Sequence, residues 1–251
     1  MKIHFLGTGT SKGIPEIRCT CSVCTSLSPF DKRLRSSVFI EVNGKNILVD
    51  PGPDLRQQIL REKIMQIDAV LITHEHYDHI AGLDDLRPFT GEQHIPIFAM
   101  ERVLDTIRDR IPYAFSEKKY PGVPQFSLYN VEKRPFIVAG IEILPIKLWH
   151  YKLPILGYRI GNFAYLTDVK TIPEDEYPKL EKLEILVINA LQKREHLSHQ
   201  NLKEALENIE KIMPEQAYLT HLSHEMGLHD EVQKELPPHV KIAYDGLTVT
   251  L

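Results

Sequence analysis

The sequence predicts an α/β (α+β) domain in which two β-sheets pack face to face with helices on the outside. Two observations predict it: short apolar segments fall into two groups along the chain, and each group is interleaved with stretches of helical spacing. A third is that 251 residues contain no repeat, low-complexity tract or linker, which favours a single domain over residues 1–251.

The first group opens as a meander. Residues 2–6, 37–42 and 46–50 read as strands, and Asn43-Gly44 between the last two is a dipeptide favoured in tight hairpins. Residues 53–63 show helical spacing through Leu55, Ile59 and Leu60, and the apolar run 69–72 reads as a buried strand. A strand at 95–99 and a helix at 101–109 follow. The segment 110–125 carries three prolines and no period, and a loop that long inside a domain is usually functional or mobile. The second group reads as strands at 126–131, 136–146, 155–160, 162–166 and 185–189, a helix at 200–211 and a strand at 217–220. A helix at 224–236 and strands at 241–244 and 247–251 complete it.

Hydrophobic residues at 43% and charged residues at 25% are ordinary globular values, so disordered, fibrous and membrane classes fall away. No segment reaches the roughly 18 apolar residues of a membrane-spanning helix. The apolar stretch at the N-terminus is also broken too early for a secretory leader, so a cytoplasmic protein is expected. A net charge of −4 gives no field that recruits nucleic acid. All three cysteines lie in the stretch Cys19-Thr20-Cys21-Ser22-Val23-Cys24, which argues for thiolate chemistry in a reducing compartment and against a disulfide framework.

The chemistry concentrates in His74-Glu75-His76-Tyr77-Asp78-His79. Four potential ligands in six residues, imidazole with carboxylate, suit zinc, manganese or iron. Chance would give this pattern in roughly one chain of this composition in a thousand. In an extended segment residues two apart face the same side, so His74 and His76 can clamp one ion while the turn beyond sends Asp78 and His79 towards a second. Further ligands are then expected singly at strand ends, where His150, Asp168 and His221 stand.

The order His-x-His-x-Asp-His, then His, Asp and His, resembles the ligand series of the metallo-β-lactamase superfamily, over almost the whole chain. The resemblance implies a four-layer αββα sandwich with two divalent metal ions, zinc or manganese, at one edge. It implies that His74, His76 and His150 hold the first ion, that Asp78, His79 and His221 hold the second, and that Asp168 bridges them. Asp50, in Leu48-Val49-Asp50-Pro51-Gly52, resembles the family's supporting aspartate, against the plainer reading of a turn residue before proline.

Within the superfamily, Leu219-Thr220-His221-Leu222-Ser223-His224 and the loop from Gly7-Thr8-Gly9-Thr10 to the cysteines resemble the phosphoribosyl cyclic phosphate phosphodiesterases of phosphonate breakdown. This implies one structural zinc held by Cys19, Cys21, Cys24 and His224, against free buried thiols, tying the loop beside His221. His199 precedes a helix whose N-terminal amides can receive phosphate. It is the candidate general acid, with Asp78 as the other catalytic candidate, and the resemblance implies that it contacts the substrate phosphate or leaving group, against the plainer reading of a residue at a helix start; His196 is the weaker competitor.

A pair of divalent ions with two aspartates and a hydroxide leaves a positive core, which favours an anionic substrate. The expected activity is hydrolysis of a small cyclic or nucleotide-like phosphodiester, with 110–125 as a candidate lid. The alternatives are a ribonuclease Z-like tRNA-processing nuclease and a metal-binding accessory protein of cofactor biosynthesis. Residues 101–135 hold seven basic and five acidic side chains, too balanced for an RNA-gripping arm, so nucleic acid is disfavoured as a partner. No membrane partner is expected, and a homodimer stays open.

Overall fold

The computed structural model describes residues 1–90, 94–132 and 134–251. Its first half lays down strands β1 (Lys2–Gly7), β2 (Ser37–Val42), β3 (Lys45–Val49), β4 (Ala69–Leu71), β5 (Ile95–Ala99) and β6 (Phe126–Asn130). The second half adds β7 (Phe136–Val138), β8 (Ile141–His150), β9 (Leu153–Ile160), β10 (Phe163–Leu166), β11 (Ile185–Asn189), β12 (Gln216–Thr220) and β13 (Val240–Ile242). The last strand, β14 (Thr248–Thr250), returns to the first half and pairs with β1, so the two seven-stranded sheets run β14-β1-β2-β3-β4-β5-β6 and β13-β12-β11-β10-β9-β8-β7.

Among the described residues five α-helices accompany them: α1 (Leu55–Glu62), α2 (Tyr77–Ile80), α3 (Glu101–Arg110), α4 (Leu202–Ile212) and α5 (His229–Glu235). The side chains show the layering. Ile3, Phe5, Val38 and Ile40 of the first sheet pack between the sheets with Leu156, Tyr158, Tyr165 and Val187 of the second. On β11 the alternate residues Leu186 and Ile188 face the other way, into an apolar layer with Ala205 and Ile209 of α4 and Val232 of α5. Leu6 and Leu48 likewise join Leu55 and Ile59 of α1 and Val103 and Ile107 of α3. Burial on both faces is why these strands read as continuous apolar runs. The result is the expected αββα sandwich.

Strand direction gathers the site. β3, β4, β5 and β6 are mutually parallel, as are β10, β11, β12 and β13. β8 pairs antiparallel with β9, which pairs antiparallel with β10, so β8 and β10 point the same way. Loops leaving the carboxyl ends of parallel strands share an edge, where open α/β sheets place ligands. The two sheets are also joined there: the Tyr158 hydroxyl donates to the Ile72 carbonyl (2.7 Å) and the Leu156 N–H to the Thr73 carbonyl (3.1 Å).

Two expected elements differ. The strand expected at 136–146 is a hairpin, β7 and β8, because Ala139 (φ 49°) and Gly140 (φ 85°) supply the left-handed backbone of a tight turn. The helix expected at 224–236 is a short 3₁₀ turn, His224–Met226, followed by α5, because Gly227 at φ 113° breaks the helical path. The segment 110–125 is tied down at its start, where Ala114 is buried in the helical layer and the Tyr113 hydroxyl donates to Asp84 (2.7 Å). Among the described residues no helix is long and apolar enough to cross a membrane.

Candidate metal centre

Each strand end delivers one chemically active side chain to the shared edge. Asp50 follows β3, His74 lies three residues past β4, His150 is the last residue of β8, Asp168 lies two past β10, and His221 directly follows β12. Asp50, Asp168 and His221 all adopt a left-handed backbone, at φ 55°, 59° and 55°. For non-glycine residues that conformation costs of order 1 kcal/mol and persists where the surroundings over-determine it. Asp78 and His79 sit on α2, which packs so closely on the loop after β3 that a Cβ on Gly52 would lie 2.1 Å from the Asp78 carbonyl oxygen.

These side chains converge. The donor atoms of Asp78, His79, Asp168 and His221 all lie within 4.8 Å of one another, as do those of His150, Asp168 and His199, so Asp168 belongs to both groups. His74 Nε2 stands 3.0 Å from His76 Nδ1, and the His76 and His150 rings are 5.2 Å apart. His199 Nε2 is 3.1 Å from Asp168 Oδ1, and its ring stacks on His221 at 5.1 Å.

Outer partners fix which nitrogen of each histidine faces inward. The Thr73 hydroxyl donates to Asp50 Oδ2 (2.8 Å), so the His74 Nδ1–H donates to that hydroxyl's oxygen (2.9 Å) and leaves Nε2 bare. The His79 Nδ1–H donates to Asp50 (2.9 Å), and the His150 Nδ1–H to the Asp168 carbonyl (2.9 Å). His74 and His150 are thereby held as Nε2 lone-pair donors, the tautomer a metal ligand needs. Burial pushes His79 down, but Asp78, Asp168 and Asp50 hold it well above the ordinary imidazole value, so it would give up its Nε2 proton on taking a cation. Asp50 thus supports His74 through Thr73 and His79 directly, so it is more than a turn residue.

The electrostatics fit a cation at the centre. His79 Nε2 is fully buried without a hydrogen-bond partner, while Asp78 and Asp168 oxygens stand 3.1 and 3.3 Å away. Burial raises the Asp168 carboxyl, but the neighbouring His221 and His79 outweigh it and hold the group well below the usual carboxylate range. Asp78 is lowered in the same way, with His79 overcoming burial. Burial pushes His74 well down and His221 down to about 4, so both stay neutral and available as ligands. Buried imidazole nitrogens facing paired carboxylates form the donor set of a divalent metal site.

The cysteines build a second cluster. Cys19, Cys21, Cys24 and His224 bring four donor atoms within 4.8 Å of one another, with Cys19 Sγ and Cys21 Sγ at 3.3 and 3.2 Å from His224 Nδ1. A tetrahedral zinc with Zn–S near 2.3 Å separates its donors by roughly 3.5–3.8 Å, so the set fits that ion with small adjustments. His224 pulls the Cys21 thiol down to about 6, whereas burial pushes Cys24 up to about 11. The loop reaches the first cluster: the Thr10 N–H donates to the Leu222 carbonyl (2.9 Å), and Thr10 Oγ1 lies 3.2 Å from His221 Nε2.

Of the residues expected from the sequence, Asp78, His79, His150, Asp168, His199 and His221 fall into the two groups that share Asp168, and Cys19, Cys21, Cys24 and His224 into the third. His74 and His76 lie in none of these groups but stand beside His79 and His150, His74 buried and His76 exposed. Sequence reasoning missed the outer groups. Glu16 Oε2 is 3.2 Å from His224 Nε2 and orients that ring, and Thr73 relays Asp50 to His74. Glu75, whose side chain turns away from the ligands beside it, meets Arg102 Nη2 at 3.2 Å, and Arg102 also donates to the Pro154 carbonyl. Each is a common surface residue type in an unremarkable context, and only packing gives it a role.

Known proteins agree with this architecture. The model of the β-lactamase superfamily domain matches residues 45–222. An octanoyltransferase of Porphyromonas gingivalis is 46% identical over 250 residues, which is 98% of this chain but 51% of that protein. The chain spans about half or less of the length of the curated relatives it matches. Among solved structures, a diphosphatase of the PhnP family is 36% identical, with a TM-score of 0.94 over 100% of this chain and 97% of its own. Zinc-bound PqqB from Methylobacterium extorquens shares the fold at 19% identity and a TM-score of 0.83, over 100% of both chains. With the family model covering well over half of the sequence and the sandwich placing the His-x-His-x-Asp-His run at its edge, the chain belongs to the β-lactamase superfamily and has the metallo-β-lactamase fold.

Proposed function

We propose that this protein is a phosphodiesterase that uses two divalent ions, zinc or manganese, to hydrolyse a small anionic substrate, a cyclic or nucleotide-like phosphodiester or the related diphosphate diester. The observation that carries the reading is the sharing of Asp168 between two adjacent groups of donors. His74, His76 and His150 would hold one ion, Asp78, His79 and His221 the other, and Asp168 both. When bound, such a pair lowers the pKa of a shared water towards about 7 and so supplies a nucleophile at neutral pH. The similarity to a diphosphatase supports a phosphorus centre as the point of attack.

The chain's own groups do the rest. His199, between Asp168 and Ser198 (Oγ to Nδ1 3.0 Å), would give a proton to the leaving oxygen. Its ring also touches His150 at 4.5 Å, so it stands at the rim of both donor groups. His196 is one step further out, its Nδ1 3.2 Å from His199 Nδ1, and orients His199. Asp78 anchors α2 to the centre.

A zinc at Cys19, Cys21, Cys24 and His224 would stiffen the rim by way of Thr10. The complete ligand set favours an enzyme over an accessory role in cofactor synthesis. The match to the Porphyromonas octanoyltransferase leaves about half of that protein uncovered, so it does not make this chain an octanoyltransferase.

The test is a single-turnover panel with zinc- and manganese-loaded protein: a cyclic ribose phosphate, a dinucleoside diphosphate, an aryl phosphodiester and a tRNA precursor. Turnover of a small diester with the RNA untouched is expected. His199→Ala should slow a substrate with a poor leaving group at least about tenfold more than one with a good leaving group. Cleavage of the RNA alone, or of nothing, overturns the reading.

A further inference from the structure

Two exposed tyrosines directly follow ligand histidines. Tyr77 comes after His76 and is 59% exposed, and Tyr151 comes after His150 and is 47% exposed. Since the His76 and His150 rings are 5.2 Å apart, the two tyrosines leave the centre from adjacent points, one from each half of the fold.

Neither position rewards an aromatic side chain through burial. At Tyr151 the backbone opposes one. His150 pairs with Leu153, so Tyr151-Lys152 is a two-residue hairpin turn, and Tyr151 sits in it at φ 55°. Glycine, asparagine or aspartate normally fills such a position, and a bulky residue there is an outlier of the kind that clusters at functional sites. Lys152 Nζ lies over the ring, 5.3 Å from its centroid, and braces it without covering it.

Arg102 links the segments that carry the two tyrosines. It bonds Glu75 in the loop that leads to Tyr77 and the Pro154 carbonyl just beyond the Tyr151 turn, so one guanidinium ties the two segments together. Two exposed aromatic rings on segments tied to each other, beside a centre suited to phosphate, offer faces on which a flat π-system can stack.

We propose that Tyr77 and Tyr151 bind the nucleobase of the substrate and set its specificity, so that the phosphodiester is nucleoside-linked rather than a bare sugar or alkyl phosphate. This rests on the phosphodiesterase reading for the identity of the phosphate site, but its test does not need turnover. Calorimetry on metal-loaded protein would compare AMP, ribose 5-phosphate and octyl phosphate, with metal content measured for every variant. AMP should bind at least about tenfold more tightly than ribose 5-phosphate, the margin expected of base stacking on an aromatic side chain.

Tyr77→Leu and Tyr151→Leu should each remove most of that margin while leaving ribose 5-phosphate affinity within about twofold, and Tyr151→Phe should retain it. Equal binding of AMP and ribose 5-phosphate overturns the proposal, as does a preference that survives both leucine variants or a preference for octyl phosphate. Absence of binding by all three ligands overturns it as well. A base-dependent margin without hydrolysis of any diester would leave the platform standing and remove the phosphodiesterase reading; hydrolysis without the margin would do the reverse.

Discussion

The two ligand clusters are built in opposite ways. The histidine and aspartate donors come from strand ends in both sheets and from the short helix α2, and most of them are fully buried against the sandwich. The cysteine donors come from one six-residue loop without regular structure, joined by a single residue from the far end of the chain, and the apolar cluster beneath them is only Ile14, Val23 and Cys24 with a few partly buried neighbours. In the first case packing positions the ligands before any ion binds, so an ion there is free to serve chemistry. In the second there is little core, and an ion would act as the core.

Asp168→Asn tests the scaffolded side and should show the largest effect. Changing a group that merely orients a ligand costs about 10- to 100-fold, so removing a charge shared by both donor groups should lower turnover by more than about a hundredfold. The melting temperature should change by no more than a few degrees, because the strands that place residue 168 do not depend on it. A variant that melts far earlier would mean that the cluster is held by its ions and not by the sandwich.

Cys21→Ser tests the other side and should reverse the pattern. Structural zinc contributes about 10–16 kcal/mol in small peptide sites, so losing one of four ligands should cost at least about 3 kcal/mol here and lower the melting temperature by about 10 °C. Turnover per bound catalytic ion should stay within about threefold at temperatures below the transition. Unchanged melting with abolished turnover would assign the thiolates to chemistry.

The same contrast governs what the sequence discloses. Ligands at strand ends were legible because each closes a run of apolar residues: His150 ends 141–149, Asp168 follows Phe163–Leu166, and His221 follows Gln216–Thr220. The cysteine loop was legible from residue type alone. What stayed hidden is set by geometry that no local pattern encodes. The left-handed backbone of Tyr151 has no glycine to announce it, the turn at Ala139-Gly140 sits between two apolar runs that read as one, and Arg102 finds Glu75 across 27 residues and Pro154 across 52. The pairing of β14 with β1, which returns the C-terminus to the first sheet, likewise depends on the whole fold.

What holds the cysteine loop apart from an ion gives the smallest effect, and Asp245 measures it. The residue accepts hydrogen bonds from the Thr8 hydroxyl and the Leu34 N–H, both at 2.7 Å, so it clasps the two stems from which the loop departs. Arg33, itself lowered to about 10 by burial, donates to Thr8 (2.7 Å) and to the Ala243 carbonyl (2.5 Å) beside it. Burial raises the Asp245 carboxyl to about 6 in spite of these donors and the nearby Arg33 and Arg61 charges, against 3.8 ordinarily.

A carboxyl raised on folding binds its proton more tightly in the native state. Its contribution to stability is therefore complete below pH 3.8 and is lost as pH rises through about 6. The loss is about 1–3 kcal/mol. Asp245→Asn removes this titration, whatever fixed cost the amide brings in facing the Leu34 N–H. Measured by denaturant unfolding, the stability of the variant relative to the parent should therefore improve by that amount between pH 4 and pH 7.5. Because any bound ions would be lost from both proteins alike at low pH, the comparison cancels their contribution. A difference that does not move with pH would mean that Asp245 is charged in the clasp throughout, and that its ion pairs, not its burial, secure the stems of the loop.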